Sequence, residues 1–206
     1  MWEASRLERI HTEELYRGRV VTLRKDTLRT ADGKELQREV VVHPGAVVLV
    51  AVDHGELLFV RQYRHAAGEE LLELVAGTLE SGEDPAEAAA RELQEEAGYK
   101  PGRLTKLGEF YSAPGFCTEK LHLFLAEELT PSRLEGDEDE EIAVVRLSLP
   151  KALKMAKEGG FRDAKTLAGV LLYAWHGHGQ GHGSRQGYGQ GHGHQHPGAH
   201  EGGHGR

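Results

Sequence analysis

The chain has 206 residues, a formal net charge of −8 and a single cysteine, Cys117. The acidic excess argues against a nucleic-acid-binding surface, which needs a basic stripe, and one thiol excludes an internal disulfide and fits a reducing cytoplasm. The N-terminal residues carry charges throughout and have no long apolar run, so we expect neither a secretory signal nor a membrane span.

Two pairs of strands are predicted in the first third of the chain, each joined by a dipeptide that favours a tight turn. A loop and a short strand then lead to residue 77. A hairpin alone is marginally stable, so the first pair must pack on something. The predicted strands and their turns are residues 19–29 and 34–43 about Asp32-Gly33, and residues 43–53 and 56–63 about His54-Gly55.

A helix is predicted over residues 85–97. Asp84 is a good N-cap, Pro85 suits the first helical position, and Glu87 follows three residues after the cap. Gly98 suits the left-handed residue that ends a helix.

The C-terminal third begins with an acidic segment, residues 134–141, followed by a predicted strand at 142–147. Helices are predicted at 150–158 and 163–175, with Asp163 as a cap. From residue 176 the chain is almost entirely Gly, His and Gln without apolar periodicity, and such a segment is expected to be disordered. The segment is interpreted as a spacer or, through its histidines, as a weak binding site for transition metals. The predicted organisation is N-terminal strands at 1–43, a domain at 44–175 and a tail at 176–206.

Three carboxylates share one face of the helix at 85–97, because Glu92 and Glu96 are four residues apart and Glu95 is three residues from Glu92. Clustered acids repel, and the macrodipole near a helix C-terminus already favours cations. Magnesium uses carboxylates, waters and substrate phosphates, so a magnesium-diphosphate site is predicted. The alternative is a solvated acidic face paired with Arg91 and Lys100.

The spacing of residues 77–99 resembles a complete Nudix box. The resemblance implies an α/β fold, an α/β/α sandwich around a mixed sheet with an N-terminal antiparallel extension, and hydrolysis of nucleoside diphosphates linked to a further group. It also implies that Mg²⁺ is held by the Ala76 carbonyl and by Glu92, Glu95 and Glu96, with Glu95 also counted as catalytic. Mn²⁺ is a possible substitute, since oxygen-rich sites discriminate divalent ions chiefly by size and coordination geometry. The remaining box residues are structural: Gly77 allows close backbone approach, Glu83 and Arg91 form an ion pair, and Gly98 ends the helix.

Flanking segments resemble the ADP-ribose pyrophosphatase group: VRQYR at 60–64, LELVAG at 72–77 and SAPGF at 112–116. The dipeptide Pro114-Gly115 also reads as a plain loop, the two arginines as strand-edge salt bridges, and Glu73 as a metal or dimer-interface carboxylate. The substrate-binding candidates are Arg61, Arg64, Glu73, Pro114, Gly115, Phe116 and Glu119.

In that group a mobile loop before a late strand supplies the general base. The carboxylate two residues before the strand at 142–147 is Glu140, which is the first candidate for the base, and Glu138 is the second. The alternative is a flexible, solvated charge run. The resemblance implies hydrolysis of ADP-ribose to AMP and ribose 5-phosphate by a homodimer, and the single cysteine predicts a cytoplasmic location. The alternatives are GDP-mannose or another nucleoside diphosphate sugar as substrate, a non-catalytic nucleotide-sugar-binding regulator, and a metal-storage protein built around the His-rich tail.

Overall fold

This computed structural model describes residues 7–135 and 142–180, with side chains described as far as residue 176. Twelve strands and three helices are assigned within these residues, and the first helix continues as a π turn, Leu93–Ala97. The strands are β1 (Glu8–Arg17), β2 (Thr22–Arg29), β3 (Glu35–Val42), β4 (Ala46–Asp53), β5 (Glu56–Arg64), β6 (Glu69–Glu73), β7 (Val75–Thr78), β8 (Tyr99–Lys100), β9 (Arg103–Tyr111), β10 (Lys120–Glu127), β11 (Thr130–Pro131) and β12 (Ala143–Ser148). The helices are α1 (Pro85–Glu92), α2 (Leu149–Lys157) and α3 (Ala164–Gln180).

The N-terminal strands form an antiparallel sheet in the order β1-β2-β3. The predicted turn at Asp32-Gly33 is present, with Gly33 at a φ of 84°. Strand β1 was not among the predicted elements, because its charged sequence has no alternation of buried and exposed positions, and it is largely exposed. Strand β3 is tied to the rest of the chain by Val41, whose N–H donates to the Phe116 carbonyl at 2.8 Å.

The central sheet is mixed, as predicted. Strand β4 runs parallel to β10 on one side, and on the other it pairs antiparallel with β7 over its first half and with β5 over its second half. The β4–β5 turn has His54 at a φ of 49° and Gly55 at 81°, which confirms the predicted tight turn. Strands β9 and β10 were also not predicted, since short apolar runs such as that of β10 do not separate strand from buried helix.

The two faces of the sheet carry separate apolar cores, because successive side chains of a strand point to opposite faces. On one face Val48 and Val50 pack with Ala152 of α2 and Val170 of α3. On the other face Val47 and Leu49 pack with side chains of α1 and the π turn: Ala88, Ala89, Leu93 and Ala97. The predicted α/β/α sandwich is therefore confirmed.

Helix α1 begins as predicted, with the Asp84 carboxylate accepting hydrogen bonds from the N–H groups of Ala86 (2.8 Å) and Glu87 (3.4 Å). Its last turn differs from the prediction, since residues 93–97 form a π turn rather than a continuation of the α-helix. Single π turns inside helices are frequent at functional sites. This one carries two of the three predicted metal-binding glutamates and ends at Gly98, with a φ of 77°.

Helix α3 begins at the predicted cap, where the Thr166 N–H donates to the Asp163 carboxylate at 3.0 Å. It is helical through Gln180, the last described residue, which is five residues beyond the predicted 175, because an established helix gains a backbone hydrogen bond for each residue added. Residues 176–180 are thus helical rather than disordered, and the rest of the predicted tail lies outside the described residues. Within the described part of the chain, no helix is long and apolar enough to cross a membrane.

Candidate active site

The centre of the site is the contact between β7 and the end of α1. Gly77 of β7 has no side chain, and the Glu92 carboxyl group occupies the space next to it. A Cβ atom at residue 77 would lie well under 3.0 Å from the Glu92 carboxyl carbon and both of its oxygens. The box glycine is therefore required for Glu92 to reach the strand.

Glu96 reaches the same strand one residue earlier, where its Oε2 atom accepts a hydrogen bond from the Ala76 N–H at 3.2 Å. Glu96 is 6% exposed and Glu92 is 9% exposed. Buried carboxylates need hydrogen bonds or cations to compensate for lost hydration. Two such groups beside the backbone of residues 76 and 77 form an oxygen-rich pocket.

Arg91 links three carboxylates at this end of the helix. Its Nε and Nη2 atoms donate to the two oxygens of Glu83 at 3.0 and 3.1 Å, so the predicted ion pair is present and bidentate. Its Nη1 atom donates to Glu92 at 2.8 Å and to Glu95 at 2.9 Å. The hydrogen bond from Arg91 lowers the pKa of Glu83 below its ordinary value of 4.5.

The donor set suits a hard divalent cation, since carboxylate and carbonyl oxygens are the ligands that magnesium and manganese prefer. Among the described side chains, however, no three His, Cys, Asp or Glu residues are grouped as metal ligands. The reason is visible in the contacts: Glu92 and Glu95 each turn one oxygen to Arg91, and Glu96 bonds the Ala76 amide. Glu92 and Glu95 are thus paired with an arginine in this structure, while the absence of a side chain at Gly77 leaves room for the Glu92 carboxyl group.

The acids open into a cleft of about 1560 Å³ that runs from the loop after β7 to the N-terminus of α3. A turn between β1 and β2, residues 17–20, forms one wall. Glu119, a predicted substrate-binding residue, lines the cleft, and its carboxylate lies 3.8 Å from the imidazole of His43. The cleft thus holds carboxylates at one end and several cations along its sides.

The buried Glu73 pairs with Arg64, whose Nε and Nη2 atoms donate to one glutamate oxygen at 2.9 and 2.6 Å. Lys165, at the start of α3, lies 3.2 Å from the other oxygen of Glu73 and 2.9 Å from Asp163. Arg64 lines the cleft, whereas Glu73 is 2% exposed and lies behind it. The salt-bridge alternative for Arg64 is therefore observed, and Glu73 is the group that holds Arg64 in position.

Other predicted substrate residues lie away from the cleft wall within the described chain. Arg61 is exposed on β5, and Pro114, Gly115 and Phe116 are exposed on a loop joined to β3. None of the four is a cleft-lining residue among those described. Their predicted roles stay predictions, as do those of Glu138 and Glu140, which lie outside the described residues.

Some cleft residues were missed by the sequence analysis: the turn at 17–20, Arg133, Asp163 as a wall residue, and Lys165. The sequence offered one signal, the cap at Asp163, which starts a helix with its first residues in the cleft. The others come from segments far apart in the chain, and no local pattern brings them together.

A protein-family model described as the NUDIX domain matches residues 41–170. The chain is 42% identical over 164 residues to an ADP-ribose pyrophosphatase of Bacillus subtilis, covering 78% of this chain and 89% of that protein. It is 39% identical, with the same two coverages, to a protein named methanol dehydrogenase activator of Bacillus methanolicus. A GDP-mannose pyrophosphatase of Citrobacter koseri is 41% identical over 120 residues, covering 54% of this chain and 62% of that protein.

Among solved structures, an ADP compounds hydrolase superposes with a TM-score of 0.79 and is 28% identical in sequence. The match covers 88% of this chain and 99% of that chain. The similarity therefore includes both the N-terminal sheet and the sandwich, and not the residues 77–99 alone.

Proposed function

We propose that this chain, which belongs to the Nudix family of hydrolases, hydrolyses the diphosphate of ADP-ribose to AMP and ribose 5-phosphate with the help of Mg²⁺. The observation that carries the proposal is the position of Glu92 and Glu96, two nearly buried carboxylates held against residues 76 and 77. The names of the matched proteins support ADP-ribose as the substrate.

The proposed metal ligands are the Ala76 carbonyl and the carboxylates of Glu92, Glu95 and Glu96. When bound, a divalent cation offsets phosphate charge and lowers the pKa of water. Arg91 orients this set, because its hydrogen bonds to Glu83 fix the guanidinium while Nη1 holds Glu92 and Glu95. The box arginine is thus a positioning residue and not a phosphate ligand.

Glu140 is the proposed general base that takes a proton from the attacking water, with Glu138 as the second candidate. Arg64, which lines the cleft and is held by Glu73, is a proposed contact for the substrate. A guanidinium fixed in this way keeps its planar fork ready for phosphate or sugar oxygens.

The metal ligands are tested by Glu92→Gln and Glu96→Gln, with Glu87→Gln as the matched control. Glu87 lies on the same helix and is exposed, so its variant should keep wild-type kcat. We expect the two ligand variants to lose Mn²⁺ binding in calorimetry and at least about 100-fold in kcat, as expected when electrostatic stabilisation of the transition state is lost. Retention of both properties by either variant would reject that residue as a ligand.

The substrate is tested with a panel of diphosphates assayed in Mg²⁺ and ranked by kcat/KM. The match to a GDP-mannose pyrophosphatase makes GDP-mannose the second candidate. If ADP-ribose ranks well below GDP-mannose, ADP-ribose is not the substrate and only the reaction type stands. If no diphosphate is turned over, the non-catalytic nucleotide-sugar-binding alternative replaces the hydrolase.

The base is tested by Glu140→Gln beside Glu138→Gln. The variant that lacks the true base should lose most of its kcat and still bind Mn²⁺, since a base acts on water rather than on the metal. If Glu140→Gln keeps the wild-type kcat, Glu140 is not the general base and a neighbouring acid of residues 134–141 is.

We further propose that the protein is a cytoplasmic homodimer assembled through its N-terminal sheet. Strand β1 is exposed along most of its length, and Tyr16 at its end is 61% exposed although aromatic. Light scattering and sedimentation at assay concentration should give twice the monomer mass, and a monomer would contradict the proposal.

A further inference from the structure

Six arginine and lysine side chains line the cleft, and five of them have partners of their own. Arg17 pairs with Glu14, Arg64 and Lys165 with Glu73, Arg91 with three glutamates, and Arg19 also has a partner. Within the part of the chain that the structure describes, Arg133 is the cleft-lining cation without an ion pair or a side-chain hydrogen bond. A cation of this kind is available to an anionic ligand.

The backbone on both sides of Arg133 is held against the metal-binding helix. The Ser132 N–H donates to the Gly98 carbonyl at 2.9 Å, and the Leu134 N–H donates to the Gln94 carbonyl at 3.3 Å. The Ser132 hydroxyl also donates to the Gln94 side-chain oxygen at 3.0 Å. Strand β11 pairs with β8 immediately before this segment. Arg133 is therefore presented from a fixed backbone, which lowers the entropy lost when the side chain binds.

The side chain starts directly over the residue that ends the metal-binding helix. A Cβ atom placed on Gly98 would lie 3.9 Å from the Arg133 Cβ and 4.0 Å from its Cγ. Glu95 and Glu96 belong to the turn that ends there, so Arg133 lines the same end of the cleft as the proposed metal ligands. A diphosphate bound to a cation at this end carries negative charge that the metal does not fully neutralise.

We propose that Arg133 is a phosphate-binding residue that contacts one phosphate of the substrate diphosphate at the end of the cleft that holds the proposed metal ligands. This assignment rests on the proposed function, since it supposes a diphosphate in this cleft. The guanidinium fork suits phosphate oxygens, and charge-assisted hydrogen bonds are stronger than neutral ones. Arg133 contributes to binding of substrate more than to the chemical step, so its loss raises KM and leaves kcat nearly unchanged.

The test compares Arg133→Gln, Arg133→Lys and the control Arg103→Gln in the full chain. Arg103 is an exposed arginine of β9 that pairs with Glu127 and Glu128 and does not line the cleft. The probe is the non-hydrolysable α,β-methylene analogue of ADP-ribose, titrated by calorimetry in Mg²⁺. We expect Arg133→Gln to weaken binding about tenfold and to raise KM to a similar extent, with kcat within about twofold. The lysine variant should recover part of the loss, and the control should match the wild type.

A structural role for Arg133 would lower the melting temperature and would not depend on the charge of the ligand. Each variant is therefore also titrated with magnesium pyrophosphate and with uncharged adenosine. A loss confined to the phosphate-containing probes supports the assignment, and equal affinities of Arg133→Gln and wild type for the analogue and for pyrophosphate overturn it. The pyrophosphate titration gives this answer even if the wild type does not hydrolyse ADP-ribose, so failure of the proposed function is seen separately.

Discussion

Replacement of Gly77 by alanine is the most direct test of the geometry at the centre of the site. The new Cβ atom would lie more than 1 Å inside the 3.0 Å limit that Cβ contacts respect, and the atoms it meets belong to the Glu92 carboxyl group. That group cannot simply turn away, because Arg91 holds one of its oxygens at 2.8 Å and the residue is 9% exposed.

The size of the effect follows from the displacement. A misplacement of about 1 Å in a catalytic group costs on the order of 100-fold in rate, so kcat for ADP-ribose in Mg²⁺ should fall by at least that factor. Overpacking of this kind also costs about 1–3 kcal/mol of folding free energy. Affinity for Mn²⁺ should fall in parallel, since Glu92 is a proposed ligand.

Gly108→Ala provides the matched control. Gly108 lies in β9, and a Cβ atom there would meet nothing within 4 Å. The same chemical change should therefore leave kcat and the urea unfolding midpoint close to those of the wild type. If Gly77→Ala keeps kcat within threefold of the wild type, the close approach of Glu92 to β7 is not needed for turnover and the reasoning fails.

Three other changes test the supporting contacts. Arg91→Lys should lower kcat and cost about 1–3 kcal/mol in urea unfolding, because an ammonium cannot reproduce the bidentate bond to Glu83, and a wild-type unfolding curve would contradict this. Glu83→Gln should make the free energy of unfolding depend less on pH below pH 4.5. The pKa of Glu83 is lowered in the folded protein, so the stabilisation by its carboxylate is present above pH 4.5 and is lost as pH falls further. Calorimetric melting between pH 7 and pH 3 measures this, and parallel curves for both proteins would exclude the contribution. Thr166→Val should cost about 1–3 kcal/mol, because the Leu74 N–H donates to the Thr166 hydroxyl at 2.9 Å in a fully buried position; a change below 0.5 kcal/mol would show that the amide finds another acceptor.

Features that depend on neighbouring residues could be predicted from the sequence. The helix cap at Asp84, the left-handed end at Gly98 and the turns at Gly33 and Gly55 are found where the sequence places them. Each depends on the backbone preferences of one or two residues and on hydrogen bonds that span only a few positions. The helical spacing of Glu92, Glu95 and Glu96 is of the same kind.

Features that depend on distant segments required the tertiary structure. The hydrogen bond between Leu74 and Thr166 joins residues 92 positions apart, and it fixes the start of α3 beside the cleft. Lys165 meets Glu73 in the same region. Ser132 and Leu134, which flank Arg133, are hydrogen-bonded to Gly98 and Gln94 at the end of the helix that carries the acids. No periodicity or motif in the sequence relates these pairs, because their contact depends on strand order and on which sheet face each helix covers.

The sequence by itself therefore determined the chemistry of the site: which acids share a helical turn, which glycine precedes them and which arginine accompanies them. The tertiary structure decided how that chemistry is enclosed. It placed the Glu92 carboxyl group against Gly77, set Arg64 in the cleft wall against a buried Glu73, and brought Arg133 next to Gly98, at the end of the acidic turn. The physical reason is that helix and turn propensities act over a few residues, whereas burial and ion pairing act through space between segments that only the folded sheet brings together.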